Sequence, residues 1–371
     1  MNGTRKILCM IDMLGSGGAQ RQLVELALGY KERGFDVAFL IYFKAFDSYY
    51  DETLEKAGIP ILDINEPNYL MRIIRMSRMI RKFRPDAIIS FLEVPNFIAE
   101  MASVLPHSWK LIVGERSADP EKLTNKRTRF FIHCHRFANA VVANSHANLD
   151  IVRQVAPELK RAKQHVIYNS LDPQKFSVDN SFVFCAHPRR SIVIASSHRY
   201  LKNLDGLIEA VRLLPKAQQD QLIIHWYGHN KFNDTDHSFD EAKQKIADYG
   251  LEANFAFYAP TLDIYDKMRA SDAVGLFSHF EGLPNAICEG MFLAKPIVCT
   301  RISDLPIFLK EDVNAFLCDS HDPKTIMHAL QQFITADPEQ LQQMGQRNRQ
   351  LAQQLFDKNT VLNQYQQLFE K

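Results

Sequence analysis

The 371-residue sequence has no excess of either charge: 44 Lys and Arg face 43 Asp and Glu, for a formal net charge of +1. No global field draws it to nucleic acid or to a membrane, so any basic function must be local. It has no run of about 18 apolar residues, which excludes an ordinary transmembrane helix. Cysteine is scarce. Cys9, Cys134, Cys185, Cys288, Cys299 and Cys318 form no C-x-x-C pair, and several lie in apolar, strand-like runs, as expected of buried thiols in a reducing cytosol. The opening stretch MNGTRKILCMIDML lacks an apolar h-region followed by a small-residue cleavage site, so no secretory signal is expected and the expected location is cytoplasmic. No 20–50-residue repeat and no sizeable low-complexity tract is present.

What the sequence does contain is the composition of a globular protein, 46% apolar and 23% charged, at a length comfortable for two domains. Short apolar runs alternate with helical periods. KILCMI, DVAFLIYF, DAIISF, KLIVGE, NAVVAN and QHVIYN read as strands, each separated by a helix-length segment. After the first of them, Leu23, Leu26, Ala27 and Tyr30 recur at helical spacing. The periodicity breaks in NSLDPQKFSVDNSFVFCAHPRR, Asn169–Arg190, and a second series follows: SIVIASS, LIIHWYG, NFAFYA, AVGLFS, PIVCT and NAFLCD. The pattern predicts an α/β protein of two doubly wound, Rossmann-like domains with a cleft between them, ligands binding beyond the carboxyl ends of the strands. The expected divisions are 1–175, 176–355 and a C-terminal helix over 356–371, with packing back on the N-terminal domain as one option for that helix.

Three stretches can carry chemistry. In HFEGLPNAICEGM, Glu281 follows a strand and a short turn, Asn285 can open a helix, and Glu289 lies about one turn inside it. The amides of Gly282, Leu283, Pro284 and Asn285 mark a helix start, a natural anion site wherever an N–H is present. A capped helix with a solvated Glu explains the same spacing about equally well. In ASSHRYLKNLDGLIEA, Arg199 and Lys202 occupy a strand-to-helix loop, where two cations suit a diphosphate. The bland alternative is a surface loop. In GSGGAQRQL, Gly17 and Gly18 permit close backbone approach, but the stretch lacks the full G-x-G-x-x-G pattern and the Walker lysine.

Together these stretches resemble one family. FEGLPNAICEGM looks like the E-x7-E segment of retaining glycosyltransferases of GT-B fold, family four. HRYLKN is similar to its Arg…Lys pair, GSGGAQRQLVELALGYKERGFDV to its N-terminal Gly-Gly loop and helix, VIYNSLDPQKF to its interdomain stretch, and FSHFEG to its S-x-x-E-G. The resemblance implies two Rossmann-like domains and metal-independent, retaining transfer from a nucleotide-sugar donor, UDP-linked by expectation, carrying an N-acetylhexosamine or hexose. It implies no cofactor and no metal. Arg199 and Lys202 would stabilise the departing diphosphate, Glu281 would contact the donor sugar and Glu289 the ribose hydroxyls. Ser278 would sit near phosphate, Phe257 and Tyr258 near the base, and Gly17 and Gly18 would close over the diphosphate. Departures exist: Ser170 replaces the interdomain Gly, and Glu115 and Arg116 stand where many members carry a His after the fifth strand. That pair resembles members that assemble bacterial surface glycans such as lipopolysaccharide or capsule, and places both residues on the acceptor side. The acceptor expected is a glycan or polyprenyl-diphosphate-linked sugar. A nucleotide-sugar 2-epimerase of the same fold and a non-catalytic sugar-binding protein are the alternatives.

Other signals read as structure. Asp234 and Asp236 form a D-x-D inside a polar stretch and read as a solvated loop. His133 and His135 do not share a helix face, Ser145 reads as an N-cap, and Met71, Met76 and Met79 read as core fillers. The stretch Tyr69–Pro85 carries Arg72, Arg75, Arg78, Arg81, Lys82 and Arg84 and no acid. Ile73, Met76, Met79, Ile80 and Phe83 share one helical face, and Met71 and Ile74 fall among the basic residues. An ordinary Rossmann-type helix has about half the weight here. The other half goes to peripheral binding at an anionic membrane surface, the inner face of the cytoplasmic membrane.

Overall fold

The computed structural model describes residues 5–15, 17–44, 49–178, 182–184, 187–229 and 237–370. It divides into two compact units, Met1–Leu171 with Phe356–Lys371, and Asp172–Leu355. The first boundary falls a few residues before the one the sequence suggested.

The first unit is a seven-stranded parallel sheet in the order β3-β2-β1-β4-β5-β6-β7. Its strands are β1 (Lys6–Met10), β2 (Asp36–Ile41), β3 (Ile61–Asp63), β4 (Ala87–Phe91), β5 (Lys110–Glu115), β6 (Ala140–Ala143) and β7 (Gln164–Val166). The edge strand β3 has only three residues, too few to show a period. Side chains alternate across the sheet: Ile7 and Cys9 of β1 enter one buried cluster, Leu8 and Met10 the other. The helix Lys358–Glu370 closes the first of these clusters through Val361, Leu362, Tyr365 and Phe369. Tyr30 donates its hydroxyl to the Leu362 carbonyl at 2.9 Å.

The second unit is a six-stranded parallel sheet in the order β10-β9-β8-β11-β12-β13. These strands are β8 (Arg190–Ala195), β9 (Leu222–Tyr227), β10 (Phe255–Tyr258), β11 (Ala273–Leu276), β12 (Ile297–Thr300) and β13 (Ala315–Cys318). In each sheet the winding direction reverses once, between β1 and β4 and between β8 and β11. Ligand crevices of open α/β sheets lie at the carboxyl ends of the strands flanking such a reversal.

Cys9, Cys134, Cys288, Cys299 and Cys318 are buried free thiols, whose titration burial pushes up. Cys185 lies outside the described residues. Among the described residues no helix is long and apolar enough to cross a membrane.

Candidate active site

At the β8/β11 reversal two loops meet. The chain leaves β8 through Ser196 and forms a single 3-10 turn, Tyr200–Lys202, capped by Asn203 in left-handed conformation at φ 58°. Asn203 then caps the next helix by accepting from the Gly206 amide, while its Nδ2 donates to the carbonyls of Phe277 at 3.1 Å and Ser320 at 2.8 Å. One asparagine thereby ties the loops after β8, β11 and β13 together. Gly228 lets the β8 exit pass close to the end of β9: a Cβ there would lie 1.9 Å from the Ser196 carbonyl oxygen.

The consequence is a short polar chain. Lys202 Nζ is ion-paired with Glu281 Oε1, and Ser278 donates its hydroxyl to the same oxygen at 2.8 Å. Ser278 is fully buried, and its carbonyl accepts from Thr300 at the end of β12 at 2.8 Å. Ser303 donates to the Gly282 carbonyl. Pro284 then precedes the helix Asn285–Phe292, whose Ile287, Cys288, Met291 and Phe292 are buried. Glu289 is 3% exposed on this helix. Gly290 allows the close packing behind it, since a Cβ would lie 2.8 Å from the Val274 Cβ. Arg199, Lys202, Ser278, Glu281, Gly282, Leu283, Pro284, Asn285 and Glu289 thus belong to loops and one helix gathered at the carboxyl edge of one sheet.

Three histidines at this edge were not singled out by sequence. His198 is buried, stacks on Trp226 at 5.4 Å and contacts the Phe239 ring at 4.4 Å, and burial lowers its pKa, which keeps it neutral. His279 stacks on His321 at 4.7 Å and meets the Tyr200 ring at a tilt, 5.4 Å away. Desolvation and His321 lower its pKa. The signal available was only that His279 shares a stretch with Glu281. Phe257 is half-buried against His198 and Phe239, whereas Tyr258 is exposed and stacks on Tyr227 at 4.5 Å. Of the two, Tyr258 is the one with a face for a ligand.

In the first unit Gly17 and Gly18 start the helix Gly18–Glu32 after β1, with Gly17 in extended conformation at φ −73°, which any residue adopts. The loop is pinned by Asp12, which accepts from Met13 N at 2.8 Å and from Gln20 Nε2 at 3.2 Å. Gln22 is buried and exchanges two hydrogen bonds with the Ser170 backbone, at 2.6 and 3.0 Å, which fixes the stretch where Ser170 stands in place of the expected Gly.

Glu115 and Arg116 are not laid out on a surface. Glu115 is 3% exposed and held by Lys122 Nζ at 2.6 Å and His135 Nε2 at 3.2 Å. The other nitrogen of His135 lies 2.6 Å from Glu100, which is fully buried. Burial opposes every charge here, but Lys122 and His135 hold Glu115 down to about 2, and the two flanking carboxylates raise His135 to about 10. His135 is therefore part of a buried charge cluster, a role its place in HCH did not reveal; His133 pairs separately with Glu158. Arg116 lies 3.5 Å over the Phe91 ring and donates to the Tyr365 hydroxyl. Gly114 makes room for that ring: a Cβ would meet Phe91 Cδ1 at 2.4 Å.

The basic helix, Tyr69–Phe83, spends much of its charge on local structure. Arg72 is buried beside the rings of Tyr42 and Phe43 and donates to the Glu66 and Pro67 carbonyls. Arg75 pairs with Glu66 at 2.9 Å, and Arg81 donates to the carbonyls of Ala102 and Pro106. Acid absent from Tyr69–Pro85 is thus supplied from just outside it. Met76 is buried as expected, whereas Met71 is 39% exposed and not a core filler. Ser145 caps its helix by accepting from Asn148 N at 3.1 Å. Asp234 and Asp236 lie outside the described residues.

Two parallel α/β units, each with polar loops at the reversal of its sheet, define a GT-B-type protein. Two family models divide the chain accordingly: "Glycosyltransferase Family 4" matches residues 16–175 and "Glycosyl transferases group 1" matches 183–351. The chain belongs to the group 1, family 4 glycosyltransferases. It is similar to HepE of Anabaena, solved with UDP and glucose, at 22% identity over 99% of each chain and a TM-score of 0.85. A glycosyltransferase from Rickettsia africae aligns at 16% identity over 99% of this chain and 98% of its own, TM-score 0.79. A curated relative from Campylobacter jejuni is 24% identical over 322 residues, 80% of each chain. Its name is N-acetylgalactosamine-N,N'-diacetylbacillosaminyl-diphospho-undecaprenol 4-alpha-N-acetylgalactosaminyltransferase.

Proposed function

We propose that this glycosyltransferase moves a sugar from a UDP-sugar to a lipid-linked saccharide with retention of anomeric configuration and without a metal ion. The observation that carries this reading is the Lys202–Glu281–Ser278 chain at the β8/β11 reversal, with Arg199 on the same loop and Glu289 on the following helix. A diphosphate leaving group develops charge as the glycosidic bond breaks, and fixed cations offset it. Arg199 and Lys202 supply two, with the Leu283 and Asn285 amides beside the helix start. In this reading Lys202 exchanges its Glu281 partner for phosphate, and the released carboxylate accepts hydroxyls of the donor sugar. Glu289 accepts from the ribose, and the Tyr258 face takes the base. The donor class is supported by HepE, solved with UDP and with UDP-glucose. The acceptor class is supported by the diphospho-undecaprenol in the Campylobacter relative's name. Glu115 and Arg116 act on the acceptor side as framework, through the cluster and ring stack described above.

The test is UDP release from UDP-glucose, UDP-N-acetylglucosamine and UDP-N-acetylgalactosamine, with a polyprenyl-diphosphate N-acetylhexosamine as acceptor. Product anomers are read by NMR, with and without EDTA. Release that vanishes in EDTA and returns with Mn²⁺ sinks the metal-free mechanism. Acceptor-independent 2-epimerisation of the donor would install the epimerase reading instead.

A lipid-linked acceptor requires work at a membrane surface. The observation favouring a part for Tyr69–Pro85 is apolar: Leu70 is 66% exposed at the start of the helix, beside Met71 and Tyr69. Exposed Arg78 and Lys82 on the same helix suit anionic headgroups.

A further inference from the structure

The first unit repeats the plan of the second. Its sheet reverses between β1 and β4 as the other reverses between β8 and β11. The chain after β11 delivers Glu281; the chain after β4 delivers Glu93. The delivery is forced. Leu92 sits at φ 77°, ψ 156°, a region that in practice only glycine enters, and Glu93 opens the helix Glu93–Ala102 directly after it. A leucine held there shows that the surrounding packing dictates the turn.

The carboxylate so placed is 37% exposed. Its Oε2 accepts from Thr128 Oγ1 at 3.2 Å, and its Oε1 lies 4.0 Å from Lys122 Nζ, beyond hydrogen-bond reach. Lys122 cannot close that gap cheaply, because its ammonium is bound at 2.6 Å to Glu115, itself fixed by His135 and Glu100. Glu93 is thus the outermost member of the line Glu100–His135–Glu115–Lys122–Glu93 and the only one of the five facing water. Burial raises its pKa, and the Lys122 charge opposes that rise. A carboxylate with an under-used oxygen facing water, its negative charge supported by an ammonium behind it, is a receptor for sugar hydroxyls that donate to it.

We propose that Glu93 binds hydroxyl groups of the acceptor sugar, and that it, not Glu115 or Arg116, is the acceptor-side residue that touches substrate. The inference rests on the glycosyltransferase reading for the word acceptor, but not for the binding itself.

The probe is methyl α-N-acetylgalactosaminide, a stand-in for an acceptor's terminal sugar. Saturation-transfer NMR on the full chain shows transfer from wild type to the sugar, reduced about fivefold or more in Glu93→Gln. The variant's thermal midpoint, measured alongside, matches wild type, because Gln is isosteric and the position is partly solvated. Equal transfer from both proteins, or none from wild type, overturns the proposal. In the transfer assay Glu93→Gln raises the acceptor KM about tenfold, the worth of one charged hydrogen bond, while the donor KM stays within about twofold. Wild-type transfer with unchanged Glu93→Gln kinetics removes Glu93 and leaves the enzyme reading intact. Sugar binding lost in Glu93→Gln, in a protein that releases no UDP, supports Glu93 and removes the enzyme reading.

Discussion

Glu115→Ala is a stability experiment before it is a catalytic one. The substitution leaves Lys122, 8% exposed, and His135, 1% exposed, without the carboxylate that lies 2.6 and 3.2 Å from them. His135 keeps Glu100, but Lys122 keeps no carboxylate nearer than Glu93 at 4.0 Å, with the charge of Asp119 beyond it. Removing one partner of a buried ion pair costs about 3–5 kcal/mol, because the remaining charge stays desolvated. For a unit of this size each kcal/mol moves the midpoint by about 2–4 °C, so the expected fall is about 6–20 °C. Two units complicate a bulk melt, but the chain has just two tryptophans, Trp109 in the first unit and Trp226 in the second. Both are buried, and Trp109 donates to Ser103 Oγ at 2.9 Å. In a Trp226→Phe background, fluorescence reports the first unit alone. Adding Glu115→Ala should lower that transition by the stated amount. Glu115→Met with Lys122→Met should recover most of the loss, since apolar replacement of a buried pair is often neutral or better. A drop below about 2 °C, or a double variant no better than the single, would refute the reasoning that the cluster is charged and dry.

The same cluster sets a pH dependence. His135, raised from 6.5 to about 10, contributes stability fully present below about pH 6.5 and lost as pH rises through about 10; Lys122, also raised, has the same sign. Glu115, lowered from 4.5 to about 2, contributes stability present above about 4.5 and lost toward pH 2, while Glu100, raised by burial, loses its contribution as pH rises above 4.5. The Trp109 transition should therefore decline as pH rises from about 6.5 to about 10, and a pH-independent midpoint across that window would contradict the assignment. Lys202→Ala and Glu289→Ala should each cut UDP release at least about tenfold with the fold intact by circular dichroism, at roughly 1.5–3 kcal/mol per lost charged hydrogen bond; near-normal turnover would remove either from the donor site. Sedimentation with phosphatidylglycerol vesicles should fall in high salt and drop further in Leu70→Ser/Arg78→Ser. Binding equal to wild type would make the Tyr69–Phe83 helix scaffold only.

The sheets were legible because parallel strands buried on both faces read as continuous apolar runs, and twelve of them stand out between polar turns. Ile61–Asp63 did not, since three residues at a sheet edge carry no period. The second unit's polar edge was equally readable. There the chemistry is compressed into two contiguous stretches, and the spacing of Glu281 and Glu289 about Pro284 already fixes one in a loop and the other on a helix. His198 and His279 escaped because their environments are made by Trp226, Phe239 and His321, which are far away in sequence.

The acceptor side shows why local reading stops where it does. Glu115 and Arg116 end a strand at the edge of a sheet where ligands bind, and nothing in VGERSADP says that both turn inward. What turns them is distributed: Lys122 from the next 3-10 turn, His135 from the end of a helix, Glu100 from the helix after β4, and Tyr365 from the last helix of the chain. A buried carboxylate needs a partner, and its partners lie from 7 to 20 positions away, with a further link of 35 between His135 and Glu100. The converse holds for Glu93. In sequence it is one acid among 43 Asp and Glu, in SFLEVPN with no motif around it. Its interest arises only when Leu92 is seen forced into a glycine conformation and when the Lys122 ammonium beside it is seen committed to Glu115. A charge becomes available to a ligand by the exclusion of its neighbours, and exclusion of that kind is a property of the fold.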